Sequence, residues 1–383
     1  MTCSATLSAM EILRLSTAVP ENKVSTEDLI EAFPCPIPED VRQNILNLGV
    51  ANRHLISRER SPTSPESVMS EAALVKLCQA ACDDAVDQAG LSMQDIGCFI
   101  ASYDVNPVLC PGLSQLLIRQ LGFDPYMHCV NVQGMACAAF TKTLQLAESH
   151  LAAHPEDAVL LCISGVNSYW FQNQVRSLKN VSGIRQINKI KDDARRRMEL
   201  RKWVAVMEFF LFGDGVAAAV VANEGEGLTV KKVVEVTNLG QNDYAVGYAR
   251  LSALDEPFKF GFYSHLDKKI PELGVTYTDV ALKRLLGARL AAMAKAAKWA
   301  VHTGSAKMLD ALAEHNRIRR EQIAESYDIL REYGNLAGGS LPFILKDVVS
   351  AQKSPDSGTI LMLGYGWGFS ASAAVLEETR RDA

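Results

Sequence analysis

The sequence lacks the features that would place the protein in a membrane, on nucleic acid or around a structural metal. None of the apolar runs in its 383 residues reaches the roughly 18 residues of a membrane-spanning helix. The net charge is −5, so no global positive field attracts nucleic acid. No CxxC pair occurs, and no histidine stands at zinc-finger spacing from two cysteines. We therefore expect no membrane span, no nucleic-acid partner and no metal.

We also expect neither a secretory signal nor a disulfide framework. The start "MTCSATLSAMEILRLS" has no basic segment followed by an apolar one. The nine cysteines are odd in number and all fall in the first half of the chain, which favours reduced thiols in the cytoplasm. Most free cysteines are small core residues, so a reactive one has to be recognised by its surroundings.

Strand-like and helix-like segments alternate along nearly the whole chain. "IGCFIAS" and "AVLLCISG" are continuous apolar runs, typical of strands buried on both faces. The alternation predicts an α/β fold with more strands than one small sheet holds. The turn-rich segment 222–228, "ANEGEGL", is the best seam, so we predict two halves, residues 1–223 and 224–383.

One segment differs from the rest in charge. Residues 176–202 hold ten Lys or Arg against three Asp or Glu. Ile187, Ile190, Ala194 and Met198 fall near one helical face, which predicts a basic amphipathic helix. A solvated surface helix is the simplest interpretation. The functional alternatives are a lid and a docking surface for an acidic partner.

A cysteine in the stretch "VQGMACAAF" is the first candidate functional residue. Cys137 lies where a strand-like run gives way to a helix-like one. Unpaired N–H groups and the helix dipole favour an anion at such a position, so we expect a lowered thiol pKa. Small alanine neighbours leave room for a substrate. Cys137 is therefore a candidate nucleophile.

Two more polar residues stand in similar surroundings. His302 follows the strand-like "KWAV" and precedes a glycine-containing turn, and Asn335 opens the apolar helix "LAGGSLPFILKD". Each alone is ambiguous, since asparagine is a common helix cap. Functional groups in open α/β sheets gather at the carboxyl ends of strands. We therefore expect Cys137, His302 and Asn335 to meet.

This order of residues, with the segments around it, resembles the condensing enzymes of the thiolase fold from about residue 10 to 377. The similar segments are "STAVPENKVS", "CPGLSQLLIRQLGFDPY", "LFGDGVAAAVV", "EYGNLAGGSLPFIL" and "LGYGWGFSASAAVLE". Within that group the chain is most similar to type III polyketide synthases and 3-ketoacyl-CoA synthases. Ketoacyl-ACP synthase III is a close cousin, but His302-Thr303-Gly304-Ser305 resembles the H-x-G-G of the CoA-using branch.

The resemblance implies a layered α-β-α-β-α fold of two similar halves and a homodimer. The first half would carry Cys137, and the basic segment after Phe171 would form a helical insertion at about 173–207 that departs from the family pattern. The second half would carry His302 and Asn335.

The resemblance also implies a reaction, a Claisen condensation of two acyl thioesters. Cys137 would take an acyl group from a CoA or carrier-protein thioester. His302 and Asn335 would donate hydrogen bonds to the thioester oxygen of a malonyl-type extender, whose decarboxylation gives the attacking enolate. CoA thioesters are then substrates, and no bound cofactor is needed. The positive charge of residues 176–202, not the resemblance, is the basis for expecting them to dock an acidic carrier protein or to form a lid.

Further site residues follow from the same resemblance. The glycine loop 364–368, with Gly366 and Gly368, would help to form an oxyanion hole. Phe171 would be an aromatic gate, and Cys110 would hold a second gate position on a loop that crosses a dimer interface. Arg53 and Arg58 are candidate contacts for the CoA phosphates.

Alternatives remain at this point. Ala138 and Ala139 stand where type III synthases usually have Gly-Gly, which leaves the substrate open. An acyltransferase that passes the acyl group to an amine or alcohol, and a non-catalytic partner subunit, would share the fold. A papain-like protease is disfavoured because the C-G-S-C-W type signature is missing. "GYGWG" is followed by a strand-like run, which argues against dinucleotide binding.

Overall fold

The computed structural model describes residues 10–60, 67–105, 108, 110–251, 262–351 and 358–378. Its strands are β1 Met10–Ala18, β2 Lys23–Ser25, β3 Asn52–His54, β4 Arg58–Arg60, β5 Ser67–Met69, β6 Ile96–Tyr103, β7 His128–Gln133, β8 Ala158–Ser164, β9 Val216–Ala222, β10 Leu228–Thr237, β11 Gly247–Leu251, β12 Phe262–Leu266, β13 Lys298–Val301, β14 Thr359–Gly366 and β15 Ser370–Glu378. Its helices are α1 Thr26–Glu31, α2 Glu39–Leu46, α3 Glu71–Gln88, α4 Leu113–Leu117, α5 Ala139–Ala153, α6 Ser168–Val175, α7 Ile184–Ile187, α8 Asp193–Leu211, α9 Ile270–Leu286, α10 Leu290–Ala296, α11 Ala306–Asn316, α12 Ala324–Tyr333 and α13 Ser340–Ala351.

The main sheet contains one strand pattern twice. Its order is β13-β14-β15-β10-β1-β9-β8-β6-β7. In one part β6 pairs with β8 in parallel, and β8–β9 and β9–β1 are antiparallel. In the other part β13 pairs with β14 in parallel, and β14–β15 and β15–β10 are antiparallel. The two parts join through the antiparallel pair β1–β10.

Alternation along the strands explains the layering, because successive side chains of a strand point to opposite faces. Phe99 of β6 packs in a cluster with α3 and α4, whereas its neighbour Ile100 packs with α5. Leu361 of β14 packs with α9 and α11, and Met362 packs with α5 and α13. The central helices α5 and α13 therefore lie between the two parts of the sheet.

The predicted layered α/β fold of two similar halves is confirmed. The predicted seam lies between two strands, since β9 ends at Ala222 and β10 begins at Leu228. The boundary between residues 223 and 224 stays a prediction. Among the helices of the described ranges, none combines the length and apolar character that crossing a bilayer requires.

The basic segment is helical, but the prediction of one amphipathic helix is wrong. The short helix α7 ends at Ile187, and α8 begins at Asp193. The Asp192 carboxylate caps α8 by accepting the Arg195 N–H at 2.7 Å, which fixes the start of that helix. Ile187 is buried, whereas Met198 is 38% exposed. The buried stretch of α8 lies further on, at residues 204–210.

Candidate active site

The loop that carries Cys137 is held in a strained conformation. Cys137 lies in a 3₁₀ turn, Ala136–Ala138, between β7 and α5. Ala136 has φ +44°, a left-handed value that costs a non-glycine residue about 1–2 kcal/mol. Its N–H donates to Asp104 Oδ1 at 3.2 Å, which helps to hold this turn. Strain of this kind is typical of functional sites.

The expected low pKa of the Cys137 thiol is not found. Burial raises the pKa of Cys137, and the negative charge of Asp104 raises it further. The side chain is only 8% exposed, and α5 itself begins two residues later, at Ala139. Loss of solvation therefore outweighs the helix dipole. Cys137 rests as a neutral thiol, and a proton acceptor is needed before it can attack.

His302 is a neutral imidazole. It directly follows β13, and its backbone N–H donates to Leu363 O of β14 at 2.9 Å. Burial lowers the pKa of His302 to about 3, and its Nδ1 has no hydrogen-bond partner among the described residues. The Tyr365 hydroxyl donates to His302 O at 3.1 Å and holds the turn. A neutral imidazole has one nitrogen that donates and one that accepts.

Backbone and side-chain hydrogen bonds fix Asn335. Its backbone N–H donates to Leu211 O at 2.9 Å, and its backbone carbonyl accepts the Gly213 N–H at 3.2 Å. Its side-chain Oδ1 accepts the Ala337 N–H at 2.8 Å. The side-chain oxygen is thereby occupied, so the amide NH₂ is the group that Asn335 offers as a donor.

The three predicted residues line one small cavity. Its volume is about 150 Å³, and its walls include Cys137, His302 and Asn335. A larger, mostly apolar cavity of about 520 Å³ also reaches Cys137. Phe212 and Trp367 line both. Cys137 therefore lies where the small cavity and the larger cavity meet, although the roles of the three residues stay a prediction.

The two predicted glycines lie on these walls. A Cβ on Gly366 would lie 3.3 Å from Cys137 Cβ and 3.4 Å from Cys137 N, so only glycine leaves that space open. Gly368 lines the larger cavity and has φ +100°, which glycine adopts without strain. The turn joins β14 to β15, and this supports the argument against dinucleotide binding. Their part in an oxyanion hole stays a prediction.

Phe171 lies on the wall of the larger cavity, as a gate residue would. Its ring stacks on that of Phe212 with 4.6 Å between centroids. Sequence reasoning missed Phe212, although it stands in the quoted "LFGDG". Asp214 in the same motif is buried and accepts hydrogen bonds from the backbone N–H groups of Ile56, Asn167 and Ser168. The motif thus fastens the start of α6, which carries Phe171.

Cys110 does not lie on either cavity wall of this chain. It is exposed and precedes a cis peptide bond to Pro111. Its predicted gate position, and the homodimer in which its loop would reach a neighbouring site, stay predictions.

The prediction that Arg53 and Arg58 contact CoA phosphates is wrong for Arg53 and gains no support for Arg58. Arg53 is fully buried and donates to Thr26 Oγ1 and to Phe210 O, each at 2.8 Å. Burial lowers the pKa of Arg53 to about 10. Arg58 is half-buried, donates to side chains of α6, Gln172 at 2.7 Å and Asn173 at 2.6 Å, and lines neither cavity.

Glu208 is a site residue that the sequence did not reveal. It lies on α8, is 1% exposed and lines the small cavity with His302 and Asn335. Burial raises the pKa of Glu208 to about 8. A single glutamate in a helical segment carries no sequence pattern that marks it as a site residue. Only the fold shows that Glu208 lines the cavity.

One group of described residues has the spacing of a metal site. Ligand atoms of Cys98, His128 and His150 lie within 4.8 Å of one another. Asp157 pairs with His150 Nε2 at 2.7 Å. His128 begins β7, whereas the candidate nucleophile follows the other end of that strand. These residues line neither cavity that reaches Cys137.

Sequence comparison finds similar proteins along nearly the whole chain. Residues 294–377 match the family model described as 3-oxoacyl-[acyl-carrier-protein (ACP)] synthase III C terminal. A 3,5-dihydroxyphenylacetyl-CoA synthase of Amycolatopsis orientalis is 26% identical over 367 residues, 92% of this chain and 90% of the relative. A 1,3,6,8-tetrahydroxynaphthalene synthase of Streptomyces peucetius subsp. caesius is 25% identical over 383 residues, 95% of this chain and 92% of the relative. The chain resembles the type III polyketide synthases.

Solved structures agree. The C-terminal type III polyketide synthase domain of Steely1 from Dictyostelium has a TM-score of 0.77 at 20% identity, covering 97% of this chain and all of that one. The 1,3,6,8-tetrahydroxynaphthalene synthase of Streptomyces coelicolor A3(2) has a TM-score of 0.76 at 21% identity, with the same coverage. The resemblance inferred from the sequence, to thiolase-fold condensing enzymes of the type III polyketide synthase kind, is confirmed.

Proposed function

We propose that the protein is an acyl-thioester condensing enzyme. It would join a Cys137-bound acyl group to a malonyl-type extender by Claisen condensation. The observation that carries the proposal is one cavity lined by Cys137, His302 and Asn335, in a chain that resembles type III polyketide synthases along its length. A neutral thiol, a neutral imidazole and an amide donor are the groups that this chemistry needs.

The first step would load the enzyme. The Cys137 Sγ attacks the carbonyl carbon of an acyl thioester, and the bond from that carbon to the leaving sulfur breaks. The neutral His302 takes the thiol proton and passes it to the leaving thiolate. The Cys137 N–H, with space beside it because Gly366 lacks a side chain, would donate to the developing oxyanion.

The second step would form the carbon–carbon bond. His302 and the Asn335 amide donate to the thioester oxygen of the extender, the extender loses carbon dioxide, and the enolate attacks the acyl-Cys137 carbonyl. The Cys137–carbonyl bond then breaks, and the thiolate that leaves takes up a proton. Each preorganised donor to such an oxyanion typically supplies about 3–4 kcal/mol.

The larger cavity would receive the acyl chain. About 520 Å³ is the size of a pocket for a drug-sized molecule, and Phe171, Phe212 and Trp367 give it aromatic walls. Such a volume accommodates the first acyl group and leaves room for the chain to grow by condensation. CoA thioesters would be the substrates, since the named relatives include a CoA-product synthase.

Intact-protein mass spectrometry tests the proposal. The protein is incubated with a panel of acyl-CoAs, with and without malonyl-CoA, and released carbon dioxide is measured. We expect an acyl adduct that malonyl-CoA discharges with release of carbon dioxide. An adduct that malonyl-CoA leaves in place, but that an amine or alcohol discharges, would point to simple acyl transfer instead. No comparison supports that alternative.

We also propose that the basic segment 176–202 docks an acidic carrier protein as acyl donor. Arg185 on α7 and Arg195, Arg196 and Arg197 on α8 are exposed, and Lys189 and Lys191 lie between the helices. A dense positive surface raises the association rate of an acidic partner in a salt-dependent way.

Reversing the four arginines to glutamate should lower transfer from an acyl carrier protein about tenfold and remove its salt dependence, because charged surfaces act mainly on association. Transfer from acyl-CoA should stay within about twofold of wild type. A matched variant reverses the exposed Lys283, Arg284, Arg289 and Lys295 around α9 and α10. Equal loss in both variants, or unchanged transfer from the carrier protein, would contradict docking at this segment.

A further inference from the structure

The small cavity contains an acidic group that the condensation described above does not use. Glu208 is 1% exposed, and neither of its carboxyl oxygens has a hydrogen-bond partner among the described residues. The Ser264 hydroxyl of β12 is near enough to oppose the rise in the pKa of Glu208, but it does not reach hydrogen-bond geometry with either oxygen. An unpartnered buried carboxyl group destabilises a fold, so its position calls for a functional explanation.

The walls around Glu208 show what it can contact. Leu211, Phe212, Leu266, Ile270, Pro271 and Met308 supply apolar surface. The polar side chains on the same walls include Cys137, His302 and Asn335. Glu208 therefore faces the space in which, by the proposed function, the extender thioester binds. Apolar walls and exclusion of water strengthen any hydrogen bond made there.

Whether Glu208 can donate a hydrogen bond depends on whether its carboxyl group is protonated. Burial raises the pKa of Glu208 to about 8, so the carboxyl group is mostly protonated at neutral pH and ionises as the pH rises through about 8. Within the part of the chain that the structure describes, the other titratable groups on these walls are Cys137, His302, Lys307 and Tyr365. Burial raises the pKa values of Cys137 and Tyr365 and lowers that of His302 to about 3. Among these shifted groups, only Glu208 titrates near neutrality.

We propose that Glu208, as a neutral carboxylic acid, donates a hydrogen bond to the extender thioester as its oxygen becomes an enolate. It would be a third donor beside His302 and Asn335, and this inference rests on the proposed condensing function. A buried carboxylic acid that stays protonated and stabilises an enolate is an established device of enzymes that form enolates. An ionised Glu208 would instead repel the enolate.

Three variants separate this role from a structural one. Glu208→Gln keeps a donor of the same shape, Glu208→Leu removes it, and Glu325→Gln is a matched control at another buried glutamate. Glu325 lies on α12, accepts a hydrogen bond from Lys298 Nζ at 2.9 Å and lines neither cavity. For each protein we would measure Cys137 acylation, malonyl-CoA decarboxylation, condensation and melting temperature between pH 6 and 9.5.

We expect Glu208→Leu to slow decarboxylation and condensation about 100-fold, the typical cost of one oxyanion donor. Acylation of Cys137 should stay within about twofold, and the melting temperature should not fall, because a buried polar group has been removed. Wild-type decarboxylation should decline as the pH rises through about 8. Glu208→Gln should keep at least a third of the neutral rate and lose that decline, since its amide does not ionise.

The outcomes distinguish two failures. If wild type acylates Cys137 but neither decarboxylates nor condenses malonyl-CoA, the proposed function fails and the extender role of Glu208 falls with it. If wild type does both and Glu208→Leu matches it, or Glu208→Gln keeps the alkaline decline, the Glu208 proposal alone is overturned. Loss of acylation and decarboxylation together in Glu208→Leu also overturns it, because Glu208 would then support the fold.

Discussion

Replacing Cys137 by alanine should abolish the acyl adduct and slow condensation by about 10⁴-fold or more, as loss of a catalytic nucleophile does in other enzymes. The physical reason is that Cys137 is the one cysteine among the residues that line the two cavities. Among the described residues, no second thiol is therefore placed to take its role. Intact-protein mass spectrometry measures the adduct, and a coupled assay of released CoA measures turnover.

The control for this prediction is Cys129→Ala. Cys129 is a half-buried thiol on β7, the strand that leads to the Cys137 loop, and it lines neither cavity. That variant should load and condense as wild type does. An adduct that survives in Cys137→Ala, mapped to another residue, would show that the nucleophile has been misassigned.

The fold could be predicted because its strands carry their own signature. Continuous apolar runs such as residues 158–164 indicate burial on both faces, and the structure buries every residue of that strand. The meeting of Cys137, His302 and Asn335 followed from their positions at turns beside the sheet. Short-range pattern and topology suffice for such conclusions, because each depends on the backbone path.

The electrostatics of the site could not be predicted in this way. The helix dipole at Cys137 is a local feature, whereas the burial that raises the pKa of its thiol comes from walls that are distant in sequence. Arg53 was expected to contact CoA phosphates, yet β3 places it in the core, where it donates to Phe210 O. Glu208 stands among apolar residues of α8, and no local pattern shows that this turn faces His302.

Residue spacing alone also wrongly predicted that the basic segment forms one continuous helix. The apolar residues at 187, 190, 194 and 198 have helical spacing, but Asp192 is a better helix cap than a helix interior residue. The cap divides the segment, so Ile187 and Met198 belong to different helices. A capping residue inside an apparently continuous helical pattern is the signal that would have corrected the prediction.

Changing Asn335 to aspartate should lower malonyl-CoA decarboxylation and condensation by about 10²- to 10³-fold while leaving acylation of Cys137 unchanged. The aspartate keeps one oxygen as acceptor of the Ala337 N–H, which lies 2.8 Å from Oδ1, so the backbone around the site is preserved. Its second oxygen replaces the amide NH₂ of Asn335, which would have donated a hydrogen bond to the extender oxygen. The hydrogen bond from Ala337 N–H favours the ionised carboxylate at position 335, whereas the Glu208 oxygens accept no such bond among the described residues. The donor is thus replaced by a negative charge, which repels the growing enolate.

Single-turnover measurements separate the two steps. Acylation is followed by mass spectrometry, and decarboxylation by carbon dioxide release from the preloaded enzyme. Asn316→Asp, the same change at the end of α11 and outside both cavities, should leave both rates at wild-type values. An equal loss of acylation and decarboxylation in Asn335→Asp would mean that Asn335 stabilises the fold of the site. A selective loss of decarboxylation assigns it to the extender, because only that step develops charge on the extender oxygen.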